Sequence, residues 1–528
     1  MELVRSDFGS VAHSLALTLA EAKKNGETLI SIPKDTYHVY EREAMAPVVC
    51  VANHGHNGFK HTAVAIENMK DLTIDGNGST FILHGRMDFA IVKDSENITI
   101  KNLNVTCADT CNFQGKVTEA ENGTVKIELD DPPALRIYGT QMFQNIDHQF
   151  DVMTRTLDYI TETKEIRPGT GDNNFGDNIN NIRKALEENI LTLYDVKIMP
   201  PVGDTIVFAM SRRCNQAFFA DHSKNVRFEN ITVNTCWGMG FIAQKCENVT
   251  VNACAVVPEG DRCWSAGQDA THFVNCRGKV TITNCKFHNQ LDDAVNLHGI
   301  YTVVHKVAGN RIMLRYGHFQ ARGIDIYSAG DRIQVLERES QQPLGFADIE
   351  SVEILNPDTT ILTLKNVEGV IAEGMIVENL SDEADALIAG NDFRNNRARG
   401  MLIAAKGHIE ISGNTFRSGG AAIQFESDPM KWLECGGVID VVIKNNFFDD
   451  CRHGTWGKGV IDIGKRRKIV DGFYYHERIE ISGNRFTQTN VPCVMADNVR
   501  ELVWKDNEYA TETPVSATHS IVNGEIFE

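Results

Sequence analysis

Three aspartates between Gln268 and Gly299 carry the chemistry that this chain most readily suggests. Asp269 sits in Gly267-Gln268-Asp269-Ala270-Thr271-His272, and 23 residues later Asp292 and Asp293 stand side by side in Gln290-Leu291-Asp292-Asp293-Ala294-Val295-Asn296-Leu297-His298-Gly299. A carboxyl group that gives a proton to a leaving oxygen, beside others that activate water, is the equipment for hydrolysing a glycosidic bond. Crowded carboxylates also repel, which raises the pKa of at least one and keeps it protonated near neutral pH. An adjacent aspartate pair is commonly no more than a solvated bend, so the reading depends on what positions the three.

The spacing of 23 residues is also the repeat length of the surrounding sequence. A short phrase recurs, with alternating β-branched or aromatic residues followed by an Asn: Ile98-Thr99-Ile100-Lys101-Asn102, Val226-Arg227-Phe228-Glu229-Asn230, Val249-Thr250-Val251-Asn252, Val280-Thr281-Ile282-Thr283-Asn284, Ile409-Glu410-Ile411-Ser412-Gly413-Asn414, Val441-Val442-Ile443-Lys444-Asn445 and Ile479-Glu480-Ile481-Ser482-Gly483-Asn484. Phe228 to Val251, Ile388 to Ile411 and Ile481 to Trp504 are each 23 residues apart. The alternation predicts strands with one buried face, and the Asn tolerates left-handed backbone in the turn that follows. A leucine-rich repeat has a similar period, but its Leu-x-x-Leu-x-Leu frame is absent. The repeat predicts a right-handed parallel β-helix, a pectate-lyase-like solenoid in which stacked Asn amides form a ladder. Neighbouring rungs lie about 4.8 Å apart, so Asp269, one coil before the pair, converges on it. Adjacent strand residues point to opposite faces; Asp292 and Asp293 serve one site only if the backbone bends there.

The rest of the chain fits that division. Residues 10–26 have helical spacing with Ser10 near the start and Gly26 past the end, a helix suited to covering the open end of a solenoid. The Asn phrase disappears over 112–211 and again over 300–385, where dense β signal surrounds two similar segments, Val202-Gly203-Asp204-Thr205-Ile206-Val207-Phe208 and Ala329-Gly330-Asp331-Arg332-Ile333-Gln334-Val335. These predict two inserted β-barrel-like domains, the second at the rim of the proposed site. The expected order is cap and first coils (1–111), first insertion (112–211), central coils with the acids (212–299), second insertion (300–385) and last coils (386–528). Within the first insertion, 178–189 looks partly helical.

At 528 residues the chain holds several domains, and its net charge of −19 argues against nucleic acid and anionic membranes as partners, and mildly against a polyanionic substrate. Lys465-Arg466-Arg467-Lys468 is its one basic run. No apolar stretch reaches the length of a membrane span. The first residues lack the pattern of a signal peptide, so the chain as written is expected to be cytoplasmic, or periplasmic or secreted with its signal removed. Thirteen cysteines lack metal-like or disulfide-like spacing and read as core thiols; Cys107 and Cys111 are the one pair near enough to suggest a bridge.

Several polar and aromatic residues could hold a sugar beside the acids. His272, Asn296 and His298 lie on the same rungs, and Trp237 and Trp264 fall just upstream, as core residues or as a stacking wall. Farther on, Arg399 in Arg397-Ala398-Arg399-Gly400 and Glu426 in Gln424-Phe425-Glu426-Ser427-Asp428 are the foremost candidates for ligand contacts, with Trp432, His453 and Trp456 nearby. Asn53-His54-Gly55-His56-Asn57 reads as a polar loop rather than a metal site.

The two aspartate segments, with Arg397-Ala398-Arg399-Gly400-Met401-Leu402-Ile403 after them, resemble glycoside hydrolase family 110. That resemblance covers most of the chain. It implies an exo-acting, inverting α-1,3-galactosidase that removes terminal galactose from blood-group-B-type and linear α-galactosyl oligosaccharides without a metal or other cofactor. It further implies that Asp292 is the general acid and that Asp269 and Asp293 share the base function. Family members are mostly secreted or periplasmic bacterial enzymes, and a homo-oligomer is left open. Three rivals stay open. A polygalacturonase-type hydrolase should show an Arg-x-Lys element for a uronate, a calcium-dependent lyase would use the same acids as ligands, and a non-catalytic β-helical glycan-binding protein would bind without turnover.

Overall fold

The computed structural model describes residues 1–55, 57–130, 134–146, 149–210, 212–464 and 468–528. Two long parallel sheets, one of 20 strands and one of 12, run along it, and successive coils add a strand to each. This is the expected parallel β-helix. Each 23-residue spacing is one rung: Phe228 pairs with Val251, Ile388 with Ile411 and Ile481 with Trp504. The apolar positions of the repeat point inward, so Ile100, Phe228, Val251, Ile282, Ile388, Ile411, Ile443 and Ile481 form one buried column. Each such side chain contributes about 1.5–3 kcal/mol when removed from water.

The turns explain the Asn. Asn102, Asn230, Asn284 and Asn445 have φ of 58°, 50°, 56° and 55°, the left-handed region that Asn tolerates. In the late coils a second amide column lies inside the turn. Asn391 donates to Asn414, Asn414 to Asn446, Asn446 to Asn484 and Asn484 to Asn507, at 2.9–3.0 Å. Beside it Phe393, Phe416, Phe448 and Phe486 stack with centroids 5.2, 5.0 and 4.5 Å apart.

The helix Val11–Asn25 covers the first coil, with Leu15, Leu19 and Ala22 buried against it. Ser10 accepts a bond from His13 N–H at 3.2 Å, and Gly26, at φ +67°, ends the helix as only glycine does cheaply. No helix among the described residues is long and apolar enough to cross a membrane. All thirteen cysteines are free thiols, Cys107 and Cys111 included.

Two excursions leave the helix. Strands from Phe113–Glu121 to Thr205–Met210 form an antiparallel sheet of nine strands. Its segment 178–189 holds one 3₁₀ turn, Ile179–Asn181, followed by strand, so the expected helix is shorter than its polar run suggested. From Thr302 to Asn379 six strands close into a barrel whose last strand, Ile376–Asn379, pairs back with the first. Residue 56 and the basic residues 465–467 lie outside the described residues.

The Asn column predicts a measurable cost. Asn446→Ala removes the acceptor of the Asn414 backbone N–H and of one Asn414 amide hydrogen, and the donor shared by the Ile411 carbonyl and Asn484 Oδ1, and should lower stability by about 1–3 kcal/mol. Urea unfolding reads this directly, and an unchanged midpoint would contradict it.

Candidate active site

The acids lie in bends, not strands. Asp269 precedes the strand Thr271–Val274, while Asp292 and Asp293 lie between Lys286–His288 and Val295–Ile300. The bend lets neighbouring side chains face one cleft, which an extended strand forbids. Parallel pairing then stacks equivalent bends. Ala270 N–H donates to the Asp293 carbonyl at 2.9 Å and Ala294 N–H to that of Gly400 at 3.0 Å, so Asp269, Asp293 and Arg399 occupy one position on three successive rungs. One oxygen from each of the three aspartates lies within 4.8 Å of the others.

Arginines from three directions meet this cluster. Arg399 holds Asp293 through two bonds of 2.9 and 2.8 Å. Arg397 bonds Asp292 at 2.9 Å and is itself gripped by Asp172 of the first insertion at 2.8 and 2.6 Å. Arg213, on the segment that returns from that insertion, reaches the other oxygen of Asp292 at 3.1 Å. Together they set the charges. Burial alone would raise Asp292, but Arg397, Arg213, Arg399 and Arg155 outweigh it and bring its carboxyl down to about 2. Burial, then the charge of Asp292, pushes Asp269 up to about 7. Asp293 is also pushed up to about 7, by burial and its two acidic neighbours against Arg399. Yet Asp293 in turn raises Arg399, and two short guanidinium bonds favour the ionised pair. The cluster's proton therefore rests on Asp269.

The three carboxyl groups converge as metal ligands would. The guanidinium groups already occupy both oxygens of Asp292 and of Asp293, and Asp269 is spent on His272 and on Asp293 N–H. A divalent cation would have to displace all of these.

The cleft over the acids encloses about 400 Å³ and is lined also by Arg213, Asn296, Arg397, Arg399, Gln424, Lys431, Trp432, Glu434 and Trp456. Asn296 and Arg399 are thus where the sequence placed them. Other candidates lie elsewhere. Trp237 and Trp264 are 2 % and 1 % exposed and do not line the cleft; Trp264 is covered by Leu157, Tyr159 and Val207 of the first insertion. Trp432 and Trp456, from later loops, line the cleft instead. His272 and His298 are buried behind the acids: His272 Nδ1 lies 2.6 Å from Asp269 Oδ2 and its Nε2 3.0 Å from Nε2 of His298. Glu426 is bonded by the Gln424 amide and does not line the cleft; the acid that does is Glu434. His453 turns its Nδ1 to the Asp450 carbonyl. Of the loop 53–57, Asn53 donates to Glu434 at 2.7 Å and His54 is buried.

Arg213, Lys431 and Glu434 are the residues that sequence reasoning missed. They stand on connecting segments with no repeat to place them; Glu434 enters through a two-residue strand antiparallel to Gly299–Ile300. The barrel reaches the same rim, with the His318 ring 4.7 Å from that of Trp432.

The charge distribution predicts how stability depends on pH. A carboxyl raised on folding binds its proton more tightly in the native state, so its burden appears as pH rises from about 4 towards about 7. Asp269→Asn keeps the shape without the charge and should unfold at a higher temperature than the wild type at pH about 8, with the gap closing near pH 5. A gap that is equal at both values would argue against a raised Asp269. Activity should also survive a chelator, since guanidinium groups rather than a cation neutralise the acids.

Comparison with known proteins places this site in context. A family model for GLAA-B beta-barrel domain II matches residues 311–368, inside the closed barrel. The chain is 29 % identical over 513 residues to alpha-1,3-galactosidase A of Shewanella woodyi, a match that spans 92 % of this chain and 82 % of that one. It is 28 % identical over 508 residues to alpha-1,3-galactosidase B of Bacteroides thetaiotaomicron (94 % and 82 %). The corresponding protein of Phocaeicola vulgatus is 28 % identical over 536 residues (96 % and 89 %). Along nearly its whole length the chain is thus a relative of proteins named alpha-1,3-galactosidase A and B, which bears out the resemblance to glycoside hydrolase family 110.

Proposed function

We propose that this protein is an exo-acting, inverting α-galactosidase that hydrolyses terminal α-1,3-linked galactose from blood-group-B-type and linear α-galactosyl glycans. The observation that carries the reading is the meeting of three carboxyl groups at one stacked bend, under Trp432 and Trp456, in a relative of alpha-1,3-galactosidases. The cleft's size suits a small ligand. Three of its four cations, Arg213, Arg397 and Arg399, are engaged by Asp292, Asp172 and Asp293, which argues against a uronate clamp.

In this reading Asp292 protonates the leaving oxygen while Asp269 and Asp293 hold and deprotonate the water. The free cleft keeps Asp292 ionised, so the acid role requires the incoming sugar to draw Arg213, which holds it by one bond of 3.1 Å, off the carboxylate. A specific observation favours a second reading. The acids' nearest oxygens, within 4.8 Å, are closer than the about 6.5–9.5 Å of inverting pairs and nearer the about 5–5.5 Å of double displacement, with an ionised Asp292 as nucleophile. Against it, guanidinium groups cover both oxygens of Asp292. The acid role displaces Arg213 alone, whereas a nucleophile would attack with its other oxygen still paired to Arg397, which blunts it.

Proton NMR of the first sugar released from Gal-α-1,3-Gal decides between the two. The proposal predicts β-galactose; initial α-galactose would establish double displacement, and no release beside cleavage of galacturonan would end the galactosidase reading. The roles are separable as well. Asp292→Asn should lose roughly 100- to 10,000-fold in turnover on the natural glycan but much less on an aryl galactoside whose phenol departs unaided. Asp269→Asn and Asp293→Asn should be impaired on both. The reverse pattern would exchange acid and base.

A further inference from the structure

Behind Asp269 lies a chain of hydrogen bonds that the mechanism above does not use. Asp269 Oδ2 meets His272 Nδ1 at 2.6 Å, His272 Nε2 meets His298 Nε2 at 3.0 Å, and His298 Nδ1 lies 2.7 Å from the Gly299 carbonyl. A carbonyl only accepts, so His298 Nδ1 carries a hydrogen. One proton lies between the two Nε2 atoms, and with a neutral His272 ring, which burial favours, that leaves two arrangements. If His272 Nε2 holds it, His272 Nδ1 accepts, Asp269 is the neutral acid and both rings are neutral. If His298 Nε2 holds it, His272 Nδ1 donates, Asp269 is a carboxylate and His298 is an imidazolium, 3.8 Å from Glu434 Oε1.

We propose that His272, His298 and Glu434 form a proton relay that converts Asp269 from acid to base within the protein. The Asp269 Oδ2–H and His272 Nε2–H bonds break, while the His272 Nδ1–H and His298 Nε2–H bonds form. The number of protons is unchanged, and the charge pair created is Asp269 carboxylate and His298 imidazolium, the latter beside the Glu434 carboxylate. His272 and His298 are then positioning residues that act through Asp269.

The surroundings suit this switch. His272 and His298 are 0 % and 3 % exposed, so no bulk water competes for the shared protons. Burial, then His298, lowers His272 well below its usual range, which suits a ring that passes protons without keeping one. Burial would raise Glu434, but the two histidines, Asn53 and Arg399 bring it lower, so it stands ready as the anion. The other charged or titratable groups facing these rings are Asp292 and Arg213 on the cleft side, His54 beside His272, and Glu378, Asp382, Glu383, Cys276 and Cys435 around the small cavity behind His298. Glu434 lies on the cleft wall, so a ligand there touches the far end of the relay.

The relay rests on the galactosidase reading only for the use made of the base, and its first test needs no turnover. In histidine-¹⁵N-labelled protein, NMR between about pH 5 and about pH 9 should show His298 as imidazolium whenever His272 carries Nδ1–H, the two signals exchanging together at constant proton count. Variants His272→Gln and His298→Gln assign the signals. In Asp269→Asn the Oδ1 keeps the bond from Asp293 N–H, which turns Nδ2–H towards His272 Nδ1, so both rings should stay neutral across the range. Identical tautomers in the wild type and Asp269→Asn would overturn the relay, whether or not galactose is released. In the active enzyme, His298→Gln should move the acid limb of kcat/KM up by about one pH unit and approach wild-type rates in alkali. An even loss at all pH values would reduce His298 to a structural part. Coupled tautomer exchange in a protein that releases no galactose would sustain the relay and remove the galactosidase reading.

Discussion

Everything at this site depends on the fixed rise of a parallel β-helix. Backbone pairing holds each coil about 4.8 Å from the next, and register decides which residues share a column. A bend that recurs on each coil becomes a column of side chains facing one way. Asp269, Asp293 and Arg399 are such a column, and Asp292 joins because the bend turns two neighbouring residues into the same cleft. The rise brings carboxyl groups closer than their charges would choose, and buried arginines are the consequence. Without Arg213, Arg397 and Arg399, the anions of a cluster whose oxygens lie within 4.8 Å would be too costly to bury.

The insertions complete the site rather than decorate it. The first supplies Asp172, which orients Arg397, and its return segment delivers Arg213. The second leaves the helix directly after the strand that carries Asn296 and His298, and its closed barrel sets His318 against Trp432. Ion pairs such as Glu165 with Arg417 tie the first insertion to later coils, so the cleft walls are held by the solenoid. Loops positioned on a rigid frame are a common place for binding and catalysis.

The fold was legible because repetition writes the register into the sequence. The 23-residue spacing of Ile388 and Ile411 states their pairing outright, and it also places Asp269 over the pair. The cleft's walls were less legible. Trp237 and Trp264 resembled a sugar platform by proximity, but both are buried, Trp264 under strands of the first insertion whose path no period encodes. His272 and His298 looked like sugar contacts; they share the outward face of their strands with Asn296, opposite Phe273 and Leu297 of the core, but are covered and bonded to Asp269 and to each other. Glu434 and Arg213 arrive on connecting segments whose paths no period encodes. Charge was the least visible quantity. An acidic chain with one basic run gave no sign that four cations gather in its cleft, because they come from distant segments.

The claim at the centre is that one stacked bend binds a terminal galactose and cleaves its linkage through these three acids. A crystal structure of Asp292→Asn soaked with Gal-α-1,3-Gal tests it most directly. The account predicts the terminal galactose between Trp432 and the acids, its glycosidic oxygen within hydrogen-bonding distance of residue 292, and a water on Asp269 and Asp293 facing the anomeric carbon. Sugar bound away from this cleft, or a glycosidic oxygen resting on Asp269 with residue 292 under the anomeric carbon, would contradict it.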